Sequence, residues 1–535
     1  MAPPRRRAGP RRPPASASAS RLAARVLEAA RELADADDPS TALRAASHAL
    51  HLTSAAPPVG APPLLAPHPP PSVLAALSLA LLAEIHATAT PPRLAAARDA
   101  CEASLRRWKA NGAALCRLAA IELHHGDARR ARALYEAAAA LPPLRAPRGG
   151  WAAALLAAPR AAAAAEASGS AALLALLDGD ANAAASHLRR LGARLRLSEA
   201  VWDAVRHAPP RRALPSPRGE GWEGRGGEGV ERYVGVVPPA LLRQLRAAFG
   251  PRAPFWEETA YLERGYMSFW YDVSRPAESA VEAVAARVLP LLRCGGAVVG
   301  CEWWVHSKAA SRALGNRHGH QLHFDTEEGV LYAHGEVRHP AVSAVLYLSG
   351  SAAAGPTVVL NQAYAATAPA THAYVSHPAD GTLLLFPGHL LHGVCPAPTA
   401  APPPRRRRAD LPSALLGAAS LPRRLTLMIG FWTEDLTRRV RRPPLSACAP
   451  TPRPSRRCTW PATLALPPGG GGAGAEAEAV REEVCVVSPA WEEVEAAPAG
   501  AAEAWQGLRV PEAIDNHFFV RGMDDFLFDH LEAAR

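Results

Sequence analysis

Apolar positions recur at helical spacing through the first two fifths of the chain. From 21 to 208 alanine and leucine dominate, and proline or glycine interrupts the pattern at 57 to 72, 91 to 92 and 142 to 150. Apolar residues three and four positions apart are typical of amphipathic helices, and the interruptions mark helix ends. The pattern predicts an α-helical domain over residues 21–208.

One stretch of this helical region resembles a tetratricopeptide repeat. Such repeats need small residues where two antiparallel helices approach closely, large residues between the helices, and proline after the second helix. The matching positions here hold Leu115, Leu118, Ala119, Gly126, Asp127, Ala131, Tyr135, Ala138 and Pro143, and 34 residues before three of them stand Ala97, Cys101 and Ser104. The resemblance implies α-helical hairpin repeats that can bind a partner peptide. A plain helical bundle that only supports the next domain is the alternative.

The pattern changes after a Pro/Gly/Arg-rich stretch, 209–230, which we interpret as a linker. Short apolar runs bounded by Gly, Pro or Asn follow at 341–348, 357–360, 382–386 and 425–432. Such runs predict the strands of a β-sandwich or roll, so the expected class is a multidomain α + β protein. Beyond them we expect a disordered Pro/Gly-rich segment, 441–480, and a C-terminal segment, 481–535, that packs on the β domain.

Composition limits the partners and the compartment. The net charge of +10 comes almost entirely from arginine, concentrated in the first 26 residues and at 405–408 without interleaved aromatic residues, so we do not expect a nucleic-acid partner. No uninterrupted apolar run reaches 18 residues, so we do not expect a membrane partner. Eight scattered cysteines without a Cys-x-x-Cys pair favour an intracellular protein.

The first 20 residues combine arginine, proline and serine with no acidic residue, and Glu28 is the first acid of the chain. A disordered tail and an organellar transit segment share this composition. The predicted location is therefore the cytoplasm, or the chloroplast or mitochondrion if the segment is a transit peptide.

A metal site is the chemistry that the β half suggests. His323 and Asp325 are two residues apart, which in a strand would place them on one face with Cα atoms about 6.6 Å apart. A further histidine follows the apolar run 382–386, where His392 is the preferred ligand and His389 the competing one. Two imidazoles and one carboxylate form the facial triad of non-haem Fe(II) oxygenases.

An arginine opens the last apolar run. On strand alternation Arg424 and Thr426 share a face, and a guanidinium aimed between two sheets needs an anion. Together these residues can hold a carboxylate, although Arg423 remains an alternative. Of Trp303 and Trp304, one should face the core and the other the cavity or solvent.

From about 235 to 440 the chain resembles the Fe(II)/2-oxoglutarate-dependent dioxygenase superfamily, in its prolyl-hydroxylase-like branch. The motifs that carry the resemblance are His323-x-Asp325, Tyr347-Leu348-Ser349, Gly355-Pro356-Thr357, Phe386-Pro387, His392-x-Val394 and Arg424-x-Thr426. The resemblance implies a double-stranded β-helix (jelly-roll) domain over 231–440 that binds Fe(II) through His323, Asp325 and His392. It also implies that 2-oxoglutarate binds Arg424, Thr426 and the hydroxyl of Tyr347. The spacing from His392 to Arg424 exceeds the family's, so we interpret 397–421 as a surface insertion.

The expected activity is hydroxylation of a protein or peptide side chain, with prolyl as the analogy from the branch, accompanied by release of succinate and carbon dioxide. Ascorbate is a candidate accessory cofactor. The helical repeats would then bind the polypeptide partner. Two alternatives stay open: a catalytically inactive tetratricopeptide-type scaffold with a degenerate oxygenase fold, and a cupin-like metalloenzyme that uses no 2-oxoglutarate.

Overall fold

The computed structural model describes twenty stretches of the chain. They are residues 15–35, 39–53, 70–88, 93–142, 158–208, 210, 212–213, 229–259, 268–292, 298–309, 319–327, 330–331, 334–350, 355–364, 366–396, 423–436, 448–450, 459–466, 479–494 and 518–520. Outside them lie the predicted insertion 397–421, residues 1–14 of the predicted N-terminal segment, and most of 209–230, 441–480 and 481–535.

The chain divides into two compact units. The first, the helical unit, includes Met1–Ala175 and Ala183–Gly192, and the second, the β unit, includes Leu176–Asn182 and Ala193–Ala496. Residues 15–191 form α1 (Ala15–Asp35), α2 (Pro39–Thr53), α3 (Pro71–Thr88), α4 (Leu94–Arg107), α5 (Gly112–His124), α6 (Ala128–Ala139), α7 (Ala158–Leu177) and α8 (Ala181–Leu191). The helical N-terminal region that the sequence predicts is confirmed.

The α5–α6 pair shows why these residues form helical hairpins. Gly126 has φ +83° in the turn, a conformation that glycine adopts without strain. The Asp127 carboxylate accepts a hydrogen bond of 3.0 Å from the backbone N–H of Arg130 and so caps α6. Tyr135 is fully buried, as are the alanines on its helix face, which lets the two helices pack closely.

Helix α3 is long and apolar enough to cross a membrane, with a mean hydropathy of 1.4 over 18 residues. However, 78% of that window is buried inside the protein, and Glu84 interrupts it. A core helix of a water-exposed domain has the same properties, so α3 is weak evidence for a membrane span.

The β unit contains three sheets. Its strands are β1 (Leu195–Leu197), β2 (Glu231–Val234), β3 (Ser268–Asp272), β4 (Gly300–Ala309), β5 (His320–His323), β6 (Val342–Ser349), β7 (Thr357–Ala363), β8 (Ala373–Ser376), β9 (Leu383–Pro387), β10 (Leu390–Val394), β11 (Arg423–Trp432), β12 (Cys448–Pro450), β13 (Val480–Glu482), β14 (Cys485–Val487), β15 (Trp491–Glu493) and β16 (Phe519–Val520). Its helices are α9 (Glu199–Arg206), α10 (Pro239–Ala248), α11 (Pro254–Glu258), α12 (Ala280–Val288) and α13 (Thr459–Leu464).

The sheets are antiparallel apart from the β3–β12 pair. The large sheet has the order β12-β3-β4-β11-β6-β9-β2-β13, the small sheet β14-β8-β7-β10-β5, and a third sheet β15-β1-β16. The four predicted apolar runs correspond to β6, β7, β9 and β11. In the part of the chain that the structure describes, none of these sheets closes into a barrel, and the α + β class is confirmed at that level.

Alternation along β11 separates two cores. Leu425, Leu427, Ile429 and Phe431 pack with α10 and α12 on one face of the large sheet. Met428 packs on the other face with Trp304 of the large sheet and Val359 of the small sheet, so this second core lies between the two sheets. Trp303 belongs to the first core and Trp304 to the second, as the sequence predicts. The space between the sheets is where the candidate ligands meet.

Candidate metal centre

Three predicted ligands converge between the sheets. One nitrogen of His323, one carboxylate oxygen of Asp325 and one nitrogen of His392 all lie within 4.8 Å of one another. His323 on β5 and His392 on β10 are direct partners across an antiparallel pair. Such partners have Cβ atoms about 5 Å apart, so both imidazoles extend to one point. These three residues could hold a metal ion.

Asp325 reaches the site differently from the predicted route. Strand β5 ends at His323, so Asp325 lies just past the strand and not on a shared strand face. Its Oδ2 accepts a hydrogen bond of 2.6 Å from the hydroxyl of Ser343, on β6 of the opposite sheet. This bond leaves Oδ1 directed at the histidines, 3.5 Å from Nε2 of His392 and 3.8 Å from Nε2 of His323. The serine therefore orients the carboxylate.

Both histidines are held in the tautomer that a metal requires. Nδ1 of His323 donates to the carbonyl oxygen of Gln321 at 2.8 Å, and Nδ1 of His392 donates to that of Leu390 at 3.0 Å. Because a carbonyl only accepts, Nδ1 carries the proton and Nε2 of each neutral ring keeps its lone pair. Nε2 of His392 is buried and has no hydrogen-bond partner. A metal ion would satisfy that nitrogen.

Distances and charge agree with an ion at this point. Metal bonds of about 2.0 to 2.2 Å place two ligand atoms no more than about 4.4 Å apart, a limit that both measured contacts of Oδ1 satisfy. Burial alone would raise the pKa of Asp325, but the neighbouring His392, His323 and Ser343 lower it well below its usual range. Burial alone would lower the pKa of His392, and Asp325 reverses that shift. Asp325 is therefore a buried anion, which a cation would neutralise.

Glycine allows the two ligand strands to approach. A Cβ on Gly393, next to His392, would lie 2.8 Å from the carbonyl oxygens of both His320 and Gln321 on β5. Real Cβ atoms do not come that close, so any larger residue would push β5 away from β10. His389, the competing ligand, is exposed in the turn between β9 and β10 and is not part of the cluster.

His323 and His392 open onto a cavity with an empty volume of about 470 Å³, including its mouth. The other side is formed by Arg424 and Thr426 of β11, with Met428 continuing the same strand face. The predicted shared face of β11 is thus confirmed. The two predicted histidine ligands and the predicted carboxylate-binding pair line one cavity.

Arg424 is a buried cation without an acidic partner among the described residues. It is 6% exposed, and its Nη2 donates to the hydroxyl of Thr357 at 2.7 Å while its Nε has no hydrogen-bond partner. Burial lowers its pKa. Burying a guanidinium without a counter-ion costs free energy, which an anion in the cavity would offset.

Tyr347 lies behind this arginine and not in the cavity lining. Its hydroxyl donates to Thr357 Oγ1 at 2.8 Å and lies 3.2 Å from the carbonyl oxygen of Ser376, while the guanidinium carbon of Arg424 is 5.4 Å from the centre of its ring. Tyr347 thus supports Arg424 through Thr357. Direct contact of Tyr347 with a bound cosubstrate stays a prediction.

No protein-family model matches the chain, and a search of curated proteins found no match. The resemblance to the oxygenase superfamily therefore stays a prediction. Function has to be inferred from the side chains of the site themselves.

Several residues of the site were not predicted. Ser343 shares a strand face with Val345 and Tyr347, so alternation along β6 could have found it. His320 looks like a chance surface residue in the sequence, but it is half-buried in the cavity wall, with its ring 4.5 Å from that of His323. No spacing rule joins Thr357 to Arg424, because they come from different sheets.

We expect Ser343→Ala to weaken metal binding by about 10- to 100-fold, the usual cost of removing a hydrogen bond that orients a ligand. The lost bond frees the Asp325 carboxylate to rotate. Competition for Fe(II) with a chromophoric chelator measures the effect, and exposed Ser274, changed to alanine, is the control. Equal affinity in both variants would show that Ser343 does not orient Asp325.

Proposed function

We propose that the chain is an Fe(II)- and 2-oxoglutarate-dependent dioxygenase that hydroxylates a polypeptide side chain. The observation that carries the proposal is a cavity lined both by the two histidines of a two-histidine, one-carboxylate cluster and by a buried arginine without an acidic partner among the described residues. The cluster alone suits several metals. The arginine favours a cosubstrate that binds the metal and also carries a second, distal carboxylate.

The two facing sheets support the same proposal. The ligands come from β5, the residues just after it, and β10, while the arginine comes from β11 of the opposite sheet. A double-stranded β-helix distributes its site over two facing sheets in this way, and we propose that the β unit has this fold. The four-arginine run and the rest of 397–421 would then be an insertion between β10 and β11.

The chain's own residues have separable roles in the proposal. His323, Asp325 and His392 would hold Fe(II) and leave its remaining positions for small molecules. Arg424 and Thr426 would bind the distal carboxylate of 2-oxoglutarate with charge-assisted hydrogen bonds. Trp304, Val345 and Met428 form an apolar wall that would limit access of water. When bound, iron would activate O₂, which is the oxidant: one oxygen atom would be inserted into a substrate C–H bond and the other into succinate, as 2-oxoglutarate is oxidised and loses carbon dioxide.

The assay of this function follows 2-oxoglutarate decarboxylation. We expect the purified chain, supplied with Fe(II), ascorbate, O₂ and 2-oxoglutarate, to release succinate, and a chelator to stop the release. Asp325→Ala serves as the blank, because it removes the only carboxylate of the cluster. If wild type releases no more succinate than this blank, the inactive scaffold becomes the better interpretation.

A further inference from the structure

A second cavity lies in the helical unit, with an empty volume of about 1000 Å³ including its mouth. Helices α3, α5 and α7 form its walls. Leu77 and Leu81 provide apolar surface, and Trp108, Arg117 and Arg160 provide polar groups. None of these residues belongs to the metal centre.

Arg160 is the residue that determines which ligands this cavity suits. It stands in the first turn of α7 and is 7% exposed, yet no acidic residue among the described ones pairs with it and its Nε has no hydrogen-bond partner. Glu84 and Glu166 also line the cavity, but neither forms an ion pair with Arg160. Arg117, the other basic residue named here, already pairs with Glu84 at 3.0 Å.

Four arginines are buried among the described residues, and two of them have an acidic partner. Arg196 pairs with Glu492 and Arg232 with Glu482, both at 2.8 Å. The two that have no acidic partner, Arg160 and Arg424, each line a cavity. A buried guanidinium without a counter-ion destabilises the fold, so such a residue is typical of a site whose anion arrives from outside.

A second donor lies in the same cavity wall. The indole nitrogen of Trp108 is buried and has no hydrogen-bond partner, and the ring itself is 2% exposed. An unsatisfied N–H and an unpaired guanidinium in the walls of one cavity suit an acceptor with two oxygen atoms. The first turn of α7 adds the positive end of a helix dipole to the same region.

We propose that this cavity binds a polypeptide segment through an aspartate or glutamate side chain, with its carboxylate on Arg160 and apolar neighbours on Leu77 and Leu81. The volume exceeds what one carboxylate fills, and the lining combines apolar side chains with Arg160, a cation that does not pair with either glutamate of the lining. The site stands apart from the proposed oxidation chemistry and does not depend on it. It gives the helical unit a ligand preference of its own.

The test uses the full-length chain immobilised and probed with a displayed library of random peptides. We expect peptides selected by the wild type to carry Asp or Glu, over Asn or Gln, at one fixed position. A selected peptide should bind about tenfold or more tightly than its amide counterpart. Arg160→Met should lose this preference, whereas Arg129→Gln, which removes an exposed charge from the same unit, should keep it.

Thermal unfolding of the ligand-free variants gives a second readout. We expect Arg160→Met to unfold at or above the wild-type temperature, because it removes a buried charge that lacks a partner. A lower temperature would assign Arg160 a structural role and overturn the proposal. Two other results would also overturn the proposal. One is a peptide selection without enrichment of Asp or Glu, and the other is binding of inorganic phosphate through Arg160 when no peptide is selected.

Discussion

His392→Ala is expected to abolish iron binding, whereas His389→Ala is expected to leave it intact. His392 is 2% exposed and directs an otherwise unsatisfied Nε2 toward Asp325, while His389 lies exposed in the turn before β10. Loss of a residue that merely orients a ligand costs about 10- to 100-fold in metal affinity, so loss of a ligand should cost more. Iron per chain after anaerobic reconstitution with Fe(II), measured by elemental analysis, distinguishes the variants.

The pair is matched because both substitutions remove one imidazole from the β9–β10 hairpin. Thermal unfolding of each metal-free variant shows whether the sheets remain folded, which matters for a substitution beside Gly393 in the interior of the small sheet. Equal iron content in the two folded variants would refute the proposed metal centre. It would also remove the basis for the oxygenase proposal.

Much of this site could be predicted because its determinants are local. The period of two along β11 places Arg424, Thr426 and Met428 on one face whatever the sheet packs against. Likewise the histidines belong to strands, where a residue's face follows from its neighbours. The helical hairpin at Gly126 and Asp127 was predictable for the same reason, since a positive-φ glycine and an N-cap act within four residues.

The rest depends on pairing between distant segments. Strand β5 ends one residue after Leu322, so Asp325 is oriented by Ser343 of the other sheet and not by strand alternation. His392 lies inside β10, between β7 and β5, and this pairing brings it opposite His323. Whether a buried charge lacks a partner is also a property of the folded chain. The contrast between Arg160 and Arg196 therefore has no signature in the sequence.

Arg424→Met is expected to raise the KM for 2-oxoglutarate by roughly 100-fold or more while iron binding is retained. Removing one partner of a buried charge pair costs about 2 to 5 kcal/mol, and each 1.4 kcal/mol is a factor of ten. The methionine keeps much of the side-chain volume and leaves His323, Asp325 and His392 in place. Steady-state succinate release as a function of 2-oxoglutarate concentration, together with iron content, measures both effects.

Arg423→Met is the matched control, because it removes the same charge from the adjacent position of β11 and tests the alternative assignment. We expect its KM to match the wild type. The opposite result would assign the carboxylate to Arg423. If neither variant changes the KM for 2-oxoglutarate, neither arginine binds the cosubstrate. Ligand-free Arg424→Met should also unfold no more easily than wild type, since the cation it removes has no acidic partner among the described residues until an anion binds.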